Sequence, residues 1–413
     1  MKITHIHIER FRGFQNEDFE VGSLLTAIAG QNGTQKSTLL GIITQTFTLK
    51  TEDSMRVEKP LCGGSYISAF KDKFRLSPTF DKPKGHEWTI SFDAGMDDFT
   101  VESIKRTGDP NVRFWKKGAR QEGDGYISFP TIFLSLKRLV PVAEEAKIIT
   151  DDTLLTQEEL NEFKQLHNKI LIAQTPISSA TTITSKNKQS IGVSTELYDW
   201  NQNSMGQDNL GKIILALFSF KRLHDKYPRQ YKGGILAIDE MDATMYPASQ
   251  VELLKVLRKY ASKLNLQILF TTHSMSLLKA MDDLVQEVTK KEETANQAKI
   301  LYLKKVDDKI AIKQGVNFKG IQLDLNVVAE GNNRKKNRIT AYTEDKENIL
   351  FVKAILKSKA FVLDFVDVTL PCSTLMELVT KRVPAFIYPY SIVGGGKSEI
   401  NGKPVENSTY LSK

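Results

Sequence analysis

Alternating apolar and polar positions at the amino end of the chain predict two strands and a helix around a glycine-bearing loop. Residues 2–8 alternate as in a half-buried strand, the pattern breaks at 10–14, and the apolar run 24–28 predicts a buried strand. Glycines punctuate the loop at 29–35, and the apolar run 39–43 predicts a helix. A strand, a glycine loop and a helix in this order are the context of a phosphate-binding loop.

The middle of the chain reads first as β-hairpins and then as a helix. Between 74 and 134 three short period-two runs are separated by glycines, namely 87–92, 99–104 and 112–115. Residues 152–173 have helical spacing, with Thr156 as a candidate N-terminal cap. The Ser/Thr-rich stretch 178–185 is expected to be a surface loop. No heptad repeat continues over several turns, so no long coiled coil is predicted.

The loop residues predict a site for a nucleoside triphosphate. They are Gly30, Gln31, Asn32, Gly33, Thr34, Gln35, Lys36, Ser37 and Thr38. Backbone N–H groups and the helix end face the phosphates, Lys36 adds charge at the β and γ oxygens, and Ser37 ligates Mg²⁺. Gln35 stands where the pattern GxxxxGK[ST] has glycine, which predicts an unusual backbone and slow hydrolysis with binding retained. The alternative is a glycine turn that only happens to precede Lys36.

Two later strand ends carry the complementary chemistry. The apolar run 235–238 ends in Asp239 and Glu240, so Asp239 is expected to hold Mg²⁺ and Glu240 to polarise the attacking water. A second apolar strand, 268–272, ends in His273, although a lone histidine is more often a core or surface residue than a functional one.

A polar turn before a strongly apolar helix is a third candidate element. Ser204, Gly206 and Gln207 lie in this turn, and a helix N-terminus attracts anions. A serine-capped helix would explain the same residues equally well.

Length and composition limit the class of protein. A chain of 413 residues exceeds one ordinary core, which predicts a large α/β domain with an appendage. No apolar run is long enough to cross a bilayer, and the chain opens on a strand pattern instead of a signal peptide, so a cytoplasmic location without membrane contact is expected. A net charge of +8 is compatible with DNA as a partner. Cys62 and Cys372 suggest neither a disulfide nor a zinc site.

The order of these motifs across residues 1 to about 285 resembles an ABC-type ATPase head of the SMC, RecF and OLD class. The segment 134–141, LSLKRLVP, is similar to one in OLD-like and Septu-type ATPases, although the sequence does not decide whether its Arg138 is structural or faces the nucleotide. The resemblance implies an α/β, SMC-head-like P-loop ATPase over 1–305, with an antiparallel β lobe at about 74–134 and a short helical arm at about 150–200.

The same resemblance implies roles for residues of two chains. Arg12 corresponds to an arginine that reaches the nucleotide in such heads, and its alternative is a surface arginine beside a turn glycine. Ser204, Gly206 and Gln207 correspond to the signature loop, although Met205 replaces the usual first glycine. His273 corresponds to the switch histidine of such heads, which senses the γ-phosphate. A head-to-tail homodimer, or a higher oligomer, would hold two ATPs between Lys36 of one chain and Ser204 of the other.

The last part of the chain resembles a degenerate Toprim domain. After a linker at 306–338, with basic residues at 332–338, residues 339–413 begin as a small α/β domain of this kind, with a strand, a helix after Glu344 and a second strand at 366–370. Glu344 and Glu347 are candidate metal ligands, but Gly394–Gly396 stand where an Asp-x-Asp would complete the site. A docking or assembly module is therefore expected.

Three functions follow from the resemblances. The first is the ATPase subunit of an antiphage defence complex, similar to the PtuA subunit of Septu, which controls a separate HNH nuclease. The second is a self-contained OLD-type ATPase and DNA nuclease. The third is a RecF- or SMC-like DNA-repair ATPase, for which salt-sensitive DNA binding is expected.

Overall fold

A computed structural model describes two compact units, Met1–Leu323 and Asp324–Lys413. It describes the whole chain except residues 67–69, 94, 106–111, 120–124, 140–147, 152–153, 174, 185–188, 331–338, 358–359, 361–362, 367, 381–385, 389–398, 401–402 and 405–413. The expected basic stretch 332–338 and the glycine triplet 394–396 lie outside the described residues. In the part that the structure describes, no helix combines the length and the apolar character that crossing a membrane requires.

The strands in chain order are β1 (Ile3–Phe11), β2 (Phe14–Glu20), β3 (Leu25–Gly30), β4 (Phe47–Thr48), β5 (Glu87–Phe92), β6 (Phe99–Lys105), β7 (Val112–Lys116), β8 (Ile127–Ser128), β9 (Thr131–Leu134), β10 (Ile149–Asp151), β11 (Ser179–Thr184), β12 (Gln189–Ser194), β13 (Gly234–Ile238), β14 (Leu266–Thr271), β15 (Ala298–Val306), β16 (Lys309–Lys313), β17 (Ile339–Thr343), β18 (Leu363–Phe365), β19 (Phe386–Tyr388), β20 (Glu399–Ile400) and β21 (Lys403–Pro404). The α-helices are α1 (Lys36–Thr44), α2 (Phe70–Lys73), α3 (Gln157–Leu171), α4 (Met205–Lys226), α5 (Pro247–Lys263), α6 (Met275–Val288), α7 (Phe318–Glu330), α8 (Lys346–Leu356) and α9 (Cys372–Thr380).

A six-stranded sheet in the order β16-β15-β3-β14-β13-β9 organises the first unit. All its strands are parallel except β16, which pairs antiparallel with β15. The strands β3, β13 and β14 are buried along their whole length, as their apolar sequences predict. Since parallel strands end at the same edge, this sheet brings the residues after β3, β13 and β14 together.

A second sheet, in the order β2-β1-β5-β6-β7, is antiparallel. It confirms the hairpins predicted at 87–92, 99–104 and 112–115. The fully buried Phe11 packs its ring against Phe74, His86, Trp88 and Phe114. Each large side chain buried in this way contributes about 1.5–3 kcal/mol to folding. The same core includes Leu39 and Ile42 of α1. The antiparallel sheet therefore packs against the helix that follows the glycine loop.

The expected helical arm contains one helix and a small sheet. Helix α3 begins at the predicted cap, because Thr156 and Glu159 form a reciprocal capping box. The prediction of a loop at 178–185 was wrong, since Ser179–Thr184 forms β11 in the sheet β10-β11-β12. Threonine and isoleucine are β-branched, and pairing with β12 on one side and β10 on the other outweighs the turn-forming tendency of serine.

The second unit contains the parallel sheet β18-β17-β19 and the helices α8 and α9. Ala341, Val352 and Leu363 form its small core. The predicted helix after Glu344 is α8, capped by the Asp345 side chain at the Asn348 N–H. The second strand expected at 366–370 lies instead at Leu363–Phe365, where the chain pairs in register with Ile339–Ala341.

Candidate functional site

The phosphate loop runs from the end of β3 to the first turn of α1, and its backbone explains two of its residues. Gly30 has a φ of 152°, and a Cβ there would collide with the Leu303 carbonyl oxygen. Gln35 precedes α1 with a φ of 62° and a ψ of 32°, which is the left-handed conformation. Glycine is usual at this position because it adopts the left-handed conformation freely. Gln35, which has a Cβ, adopts the same conformation at a cost of about 1 kcal/mol.

The Gln35 side chain is accommodated beside the turn between β1 and β2. Its Nε2 would lie 3.0 Å from a Cβ built on Gly13, so glycine at 13 leaves the room that the carboxamide occupies. Its Oε1 is buried without a hydrogen-bond partner. Gln35 thus brings the phosphate loop into contact with the turn that carries Arg12.

Lys36 lies inside the loop. Its Nζ donates hydrogen bonds to the carbonyl oxygens of Gly30 at 3.1 Å and Gln31 at 2.9 Å, and the residue is 7% exposed. Burial lowers the pKa of Lys36 to about 8, while the charges of Glu240 and Asp239 oppose that change. An anionic ligand beside the ammonium would favour its charged form.

Asp239 joins the loop to the two neighbouring strands. It follows β13, and its Oδ1 accepts hydrogen bonds from Ser37 Oγ at 2.9 Å and from Thr271 Oγ1 at 2.7 Å. A hydroxyl and a carboxylate side by side are oxygen ligands of the kind that Mg²⁺ prefers. No group of three or more His, Cys, Asp or Glu side chains suited to a metal is found among the described residues.

Glu240 and His273 stand at the same edge of the sheet. Glu240 has a φ of 49°, and its N–H donates to Thr271 Oγ1 at 2.6 Å. The His273 N–H donates to Asp242 Oδ1 at 3.3 Å, and its side chain is exposed. Partial desolvation of the ring and the nearby charge of Lys36 lower the pKa of His273 below its usual value, so the imidazole is neutral at pH 7. A neutral imidazole can donate one hydrogen bond to an oxygen anion.

Arg138 is a buried structural residue in the described chain. It is 3% exposed, and its guanidinium donates to Asn209 Oδ1 at 2.7 Å, to Glu240 O at 2.8 Å and to two carbonyls at the end of β9. Asn209 in turn donates to Ala243 O at 3.0 Å. Burial lowers the pKa of Arg138 to about 10, against the effect of Asp239 and Glu240. The sequence left its role open, and these contacts tie α4 to the loop after β13.

The signature-like turn is a capped helix N-terminus within one chain. The Ser204 side chain accepts from the Gln207 N–H at 3.3 Å, and Gln207 Oε1 accepts from the Ser204 N–H at 2.8 Å. A Cβ at Gly206 would lie 2.6 Å from Thr244 O, so glycine permits the close approach of α4 to that loop. Among the described residues, Ser204, Gly206 and Gln207 make no hydrogen bond to the phosphate loop.

Arg12 lies beside α1 and is held by a carboxylate that the sequence analysis missed. Its Nε and Nη2 each donate to Asp81 at 2.9 Å, and its Nη1 lies 3.5 Å from Thr38 Oγ1. Asp81 is separated from Arg12 by 69 residues and follows no recognisable motif, so only the fold reveals the pair. Thr271, which orients both Asp239 and Glu240, lies within the predicted strand 268–272, and nothing in the sequence indicated this role.

Two acidic residues of the second unit were also predicted as metal ligands. Glu344 follows β17 and has a buried Oε2 without a hydrogen-bond partner. Glu347 is exposed in the first turn of α8. The described part of this unit contains no cluster of three metal-ligating side chains around them.

Part of the chain is similar to a family of ATPase domains. Residues 135–278 match the family model described as "AAA ATPase domain". This range is less than half of the chain and contains Arg138, Asp239, Glu240 and His273, while the phosphate loop precedes it. No curated protein matches the chain.

Solved structures similar to this chain include SMC head domains. The SMC head domain from Thermotoga maritima is 14% identical, covering 76% of this chain and 100% of that one, with a TM-score of 0.42. An SmcHead bound to the C-winged helix domain of ScpA is 13% identical over 78% and 100%, with a TM-score of 0.46. An Smc head domain with an extended coiled coil, bound to the C-terminal domain of ScpA and derived from Pyrococcus furiosus, is 12% identical over 79% and 99%, with a TM-score of 0.41. Likenesses at this level do not assign a function.

The contacts of Arg138 predict a large loss of stability when its side chain is removed. Arg138→Ala leaves the buried Asn209 Oδ1 and Glu240 O without their donors, and should lower the free energy of unfolding by about 3 kcal/mol in urea titrations. Arg258→Ala, which removes an exposed pair with Glu287, is the matched control and should cost at most about 1 kcal/mol. Equal, small losses in both variants would contradict the structural role of Arg138.

Proposed function

We propose that this protein binds ATP with Mg²⁺ at residues 30–38 and hydrolyses it slowly. The observation that carries the proposal is the 2.9 Å hydrogen bond between Ser37 in the phosphate loop and Asp239 at the end of β13. It places a hydroxyl and a carboxylate together beside a buried lysine, with Glu240 next in the chain. The match of residues 135–278 to an ATPase domain supports the same conclusion.

Each loop residue has a task in binding. The N–H groups of Gln31, Asn32, Gly33 and Thr34 and the N-terminus of α1 attract the phosphates, and the positive end of the helix adds to that attraction. Lys36 donates to the β and γ oxygens in place of the carbonyls that hold it now.

Ser37 and Asp239 would hold Mg²⁺, which neutralises charge on the phosphates when bound. Thr38 and Arg12 lie beside the first turn and would contact the α-phosphate side.

Glu240 and His273 act on the water and the γ-phosphate. Glu240 accepts a proton from the attacking water. Its backbone is fixed by two hydrogen bonds, since its N–H donates to Thr271 Oγ1 and its carbonyl oxygen accepts from Arg138. His273, neutral at pH 7, donates a hydrogen bond toward the γ-phosphate. We attribute the slow hydrolysis to Gln35, which places a Cβ in a left-handed backbone position of the loop and packs its side chain beside Gly13.

Removal of the Lys36 side chain should abolish binding. Lys36→Ala is expected to weaken the affinity for a fluorescent ATP analogue at least 100-fold, since a buried charge-assisted donor is lost. Lys2→Ala is a matched control, because Lys2 is also partly buried, has its pKa lowered to about 8 and donates to the Leu266 carbonyl at the amino end of β14. Equal affinity in the wild type and Lys36→Ala would contradict the proposal.

A second copy of the chain is proposed to complete the site from the α4 side. In this arrangement two ATPs lie between Lys36 of one chain and the Ser204 turn of its partner. The proposal is supported by exposed apolar side chains near the turn, with Met205 46%, Tyr246 50% and Leu197 80% exposed. The N-terminus of α4 would add its dipole to the γ-phosphate of the neighbouring chain.

Glu240→Gln should trap this dimer. Glutamine keeps the volume and cannot accept the proton, so ATP stays bound and the two chains stay together. Light scattering after gel filtration is expected to give the mass of two chains with ATP and of one chain without it. Met205→Glu on the same background should restore the single-chain mass, since it adds charge to the apolar surface. A single-chain mass for Glu240→Gln with ATP would contradict the dimer.

The finer assignment concerns a partner. We propose that the protein is an ATPase subunit of an antiphage defence complex, similar to PtuA of Septu, and that ATP controls a separate HNH nuclease. The segment 134–141 and the glycines at 394–396, where a Toprim site would need carboxylates, support this assignment. The buried, unpartnered Glu344 Oε2 is the observation that favours the second candidate, a self-contained OLD-type nuclease.

Co-purification separates these functions. The tagged chain is expected to retain an HNH protein encoded beside it, and the pair but not the chain alone should cut plasmid DNA with Mg²⁺. Cutting by the chain alone that Glu344→Gln abolishes would contradict the partner and support the OLD-type nuclease. Steeply salt-dependent DNA binding without any partner or cutting would favour the RecF- or SMC-like alternative.

A further inference from the structure

Asp81 is a buried carboxylate that receives four hydrogen bonds. Its side chain is 2% exposed, and the donors are Arg12 Nε, Arg12 Nη2, the Ser77 N–H at 2.8 Å and His86 Nε2 at 3.1 Å. Burial alone would raise the pKa of Asp81, but the hydrogen bonds from Arg12, Ser77 and His86 lower it to about 2. Asp81 is therefore an anion at any physiological pH, and its charge is compensated mainly by Arg12.

His86 donates to Asp81 Oδ1, the same carboxylate oxygen that accepts from Arg12 Nε. Because an ionised carboxylate only accepts, the His86 proton must lie on Nε2, and Nδ1 is left to accept from Ser103 Oγ at 3.0 Å. The ring is 2% exposed and packs on Phe11 and Phe114. Burial lowers the pKa of His86, so this neutral tautomer is the form present at pH 7.

The chain Ser103, His86, Asp81 has the order of a hydrolase triad but cannot act as one. Ser103 is 0% exposed and His86 2% exposed, so no substrate reaches the hydroxyl. The network instead terminates in Arg12, whose side chain is 26% exposed and is the part that meets solvent.

The orientation of Arg12 is set by these contacts. Nε and Nη2 are both committed to Asp81, and Nη2 also donates to the Arg75 carbonyl at 2.8 Å. Nη1 lies on the other side of the guanidinium, 3.5 Å from Thr38 Oγ1 in the first turn of α1. Since the guanidinium is planar and rigid, fixing two of its nitrogens fixes where the third one points.

We propose that Asp81 and His86 are positioning residues that hold Arg12 with Nη1 aimed at the phosphates of a nucleotide bound beside α1. This inference rests on the proposed function. A preorganised arginine loses little side-chain freedom when it binds phosphate, whereas a free one must be ordered at the moment of binding. The antiparallel sheet and its connecting loops thus contribute to the site through residues that never touch the ligand.

A double-mutant cycle tests the coupling. The affinity for a fluorescent ATP analogue is measured for the wild type, Arg12→Ala, Asp81→Asn and the double variant. Each single variant should bind about 10-fold more weakly, and the double variant no more weakly than Arg12→Ala, since Asp81 acts only through Arg12. His86→Gln, whose amide can donate to Asp81, should keep most of the affinity, and His86→Leu should lose several-fold.

Arg10 and Glu87 form a matched control pair, because Arg10 lies two residues before Arg12 at the end of β1. Arg10 Nη2 donates to Glu87 Oε2 at 2.8 Å on the exposed face, so Glu87→Gln removes a carboxylate from an arginine without touching Arg12. Its affinity for the analogue should equal that of the wild type. Thermal unfolding of each variant shows whether the fold is retained, and His86→Gln against His86→Leu carries the test if Asp81→Asn does not fold.

The outcomes separate failure of the proposed function from failure of the positioning role of Asp81 and His86. Failure of the wild type to bind the analogue, or equal binding by Lys36→Ala, would overturn the proposed function. Binding that depends on Lys36 while Asp81→Asn binds like the wild type would overturn the positioning role alone. The same conclusion would follow from an Asp81→Asn effect that multiplies with that of Arg12→Ala, or from equal affinities of His86→Gln and His86→Leu.

Discussion

The Asp239 carboxylate, held between the hydroxyls of Ser37 and Thr271, is the interaction on which the site depends. It joins three separate parts of the chain, which are the phosphate loop after β3, the end of β13 and the end of β14. The buried carboxylate is stable there because both hydroxyls donate to it and because Lys36 and Arg138 place positive charge nearby. Without this contact the candidate loop and the acidic strand end would be independent features.

The parallel register of the sheet makes that contact possible. Ile28 pairs with Thr271, and Ile238 pairs with Phe270, so the three strands end at nearly the same level. Hydrogen bonds from two buried side chains then fix the loops that follow these strands. Thr271 holds the backbone of Glu240, and Arg138 connects that backbone with Asn209 in α4. Contacts made by one buried threonine and one buried arginine therefore fix the backbone of Glu240, which is proposed to act on the attacking water.

The sequence predicted what depends on local pattern. The buried strands, the glycine loop between β3 and α1 and the helix cap at Thr156 follow from apolar periodicity and from side chains within a few residues of one another. It did not predict pairs that only the fold brings together, such as Arg12 with Asp81 or Arg138 with Glu240. The strand Ser179–Thr184 was missed because its pairing partners, not its composition, determine its conformation. Whether the Ser204 turn serves a second chain stays a prediction, since one chain already satisfies its cap.

The central claim is that residues 30–38 and Asp239 bind the β and γ phosphates together with Mg²⁺. Equilibrium titration of the wild-type chain with ATP, ADP and AMP, each with and without Mg²⁺, tests it most directly. ATP is expected to bind at least 100-fold more tightly than AMP, and Mg²⁺ to strengthen the binding of ATP, because Lys36, Ser37 and Asp239 all act on the terminal phosphates. Equal affinities for ATP and AMP, unchanged by Mg²⁺, would contradict it.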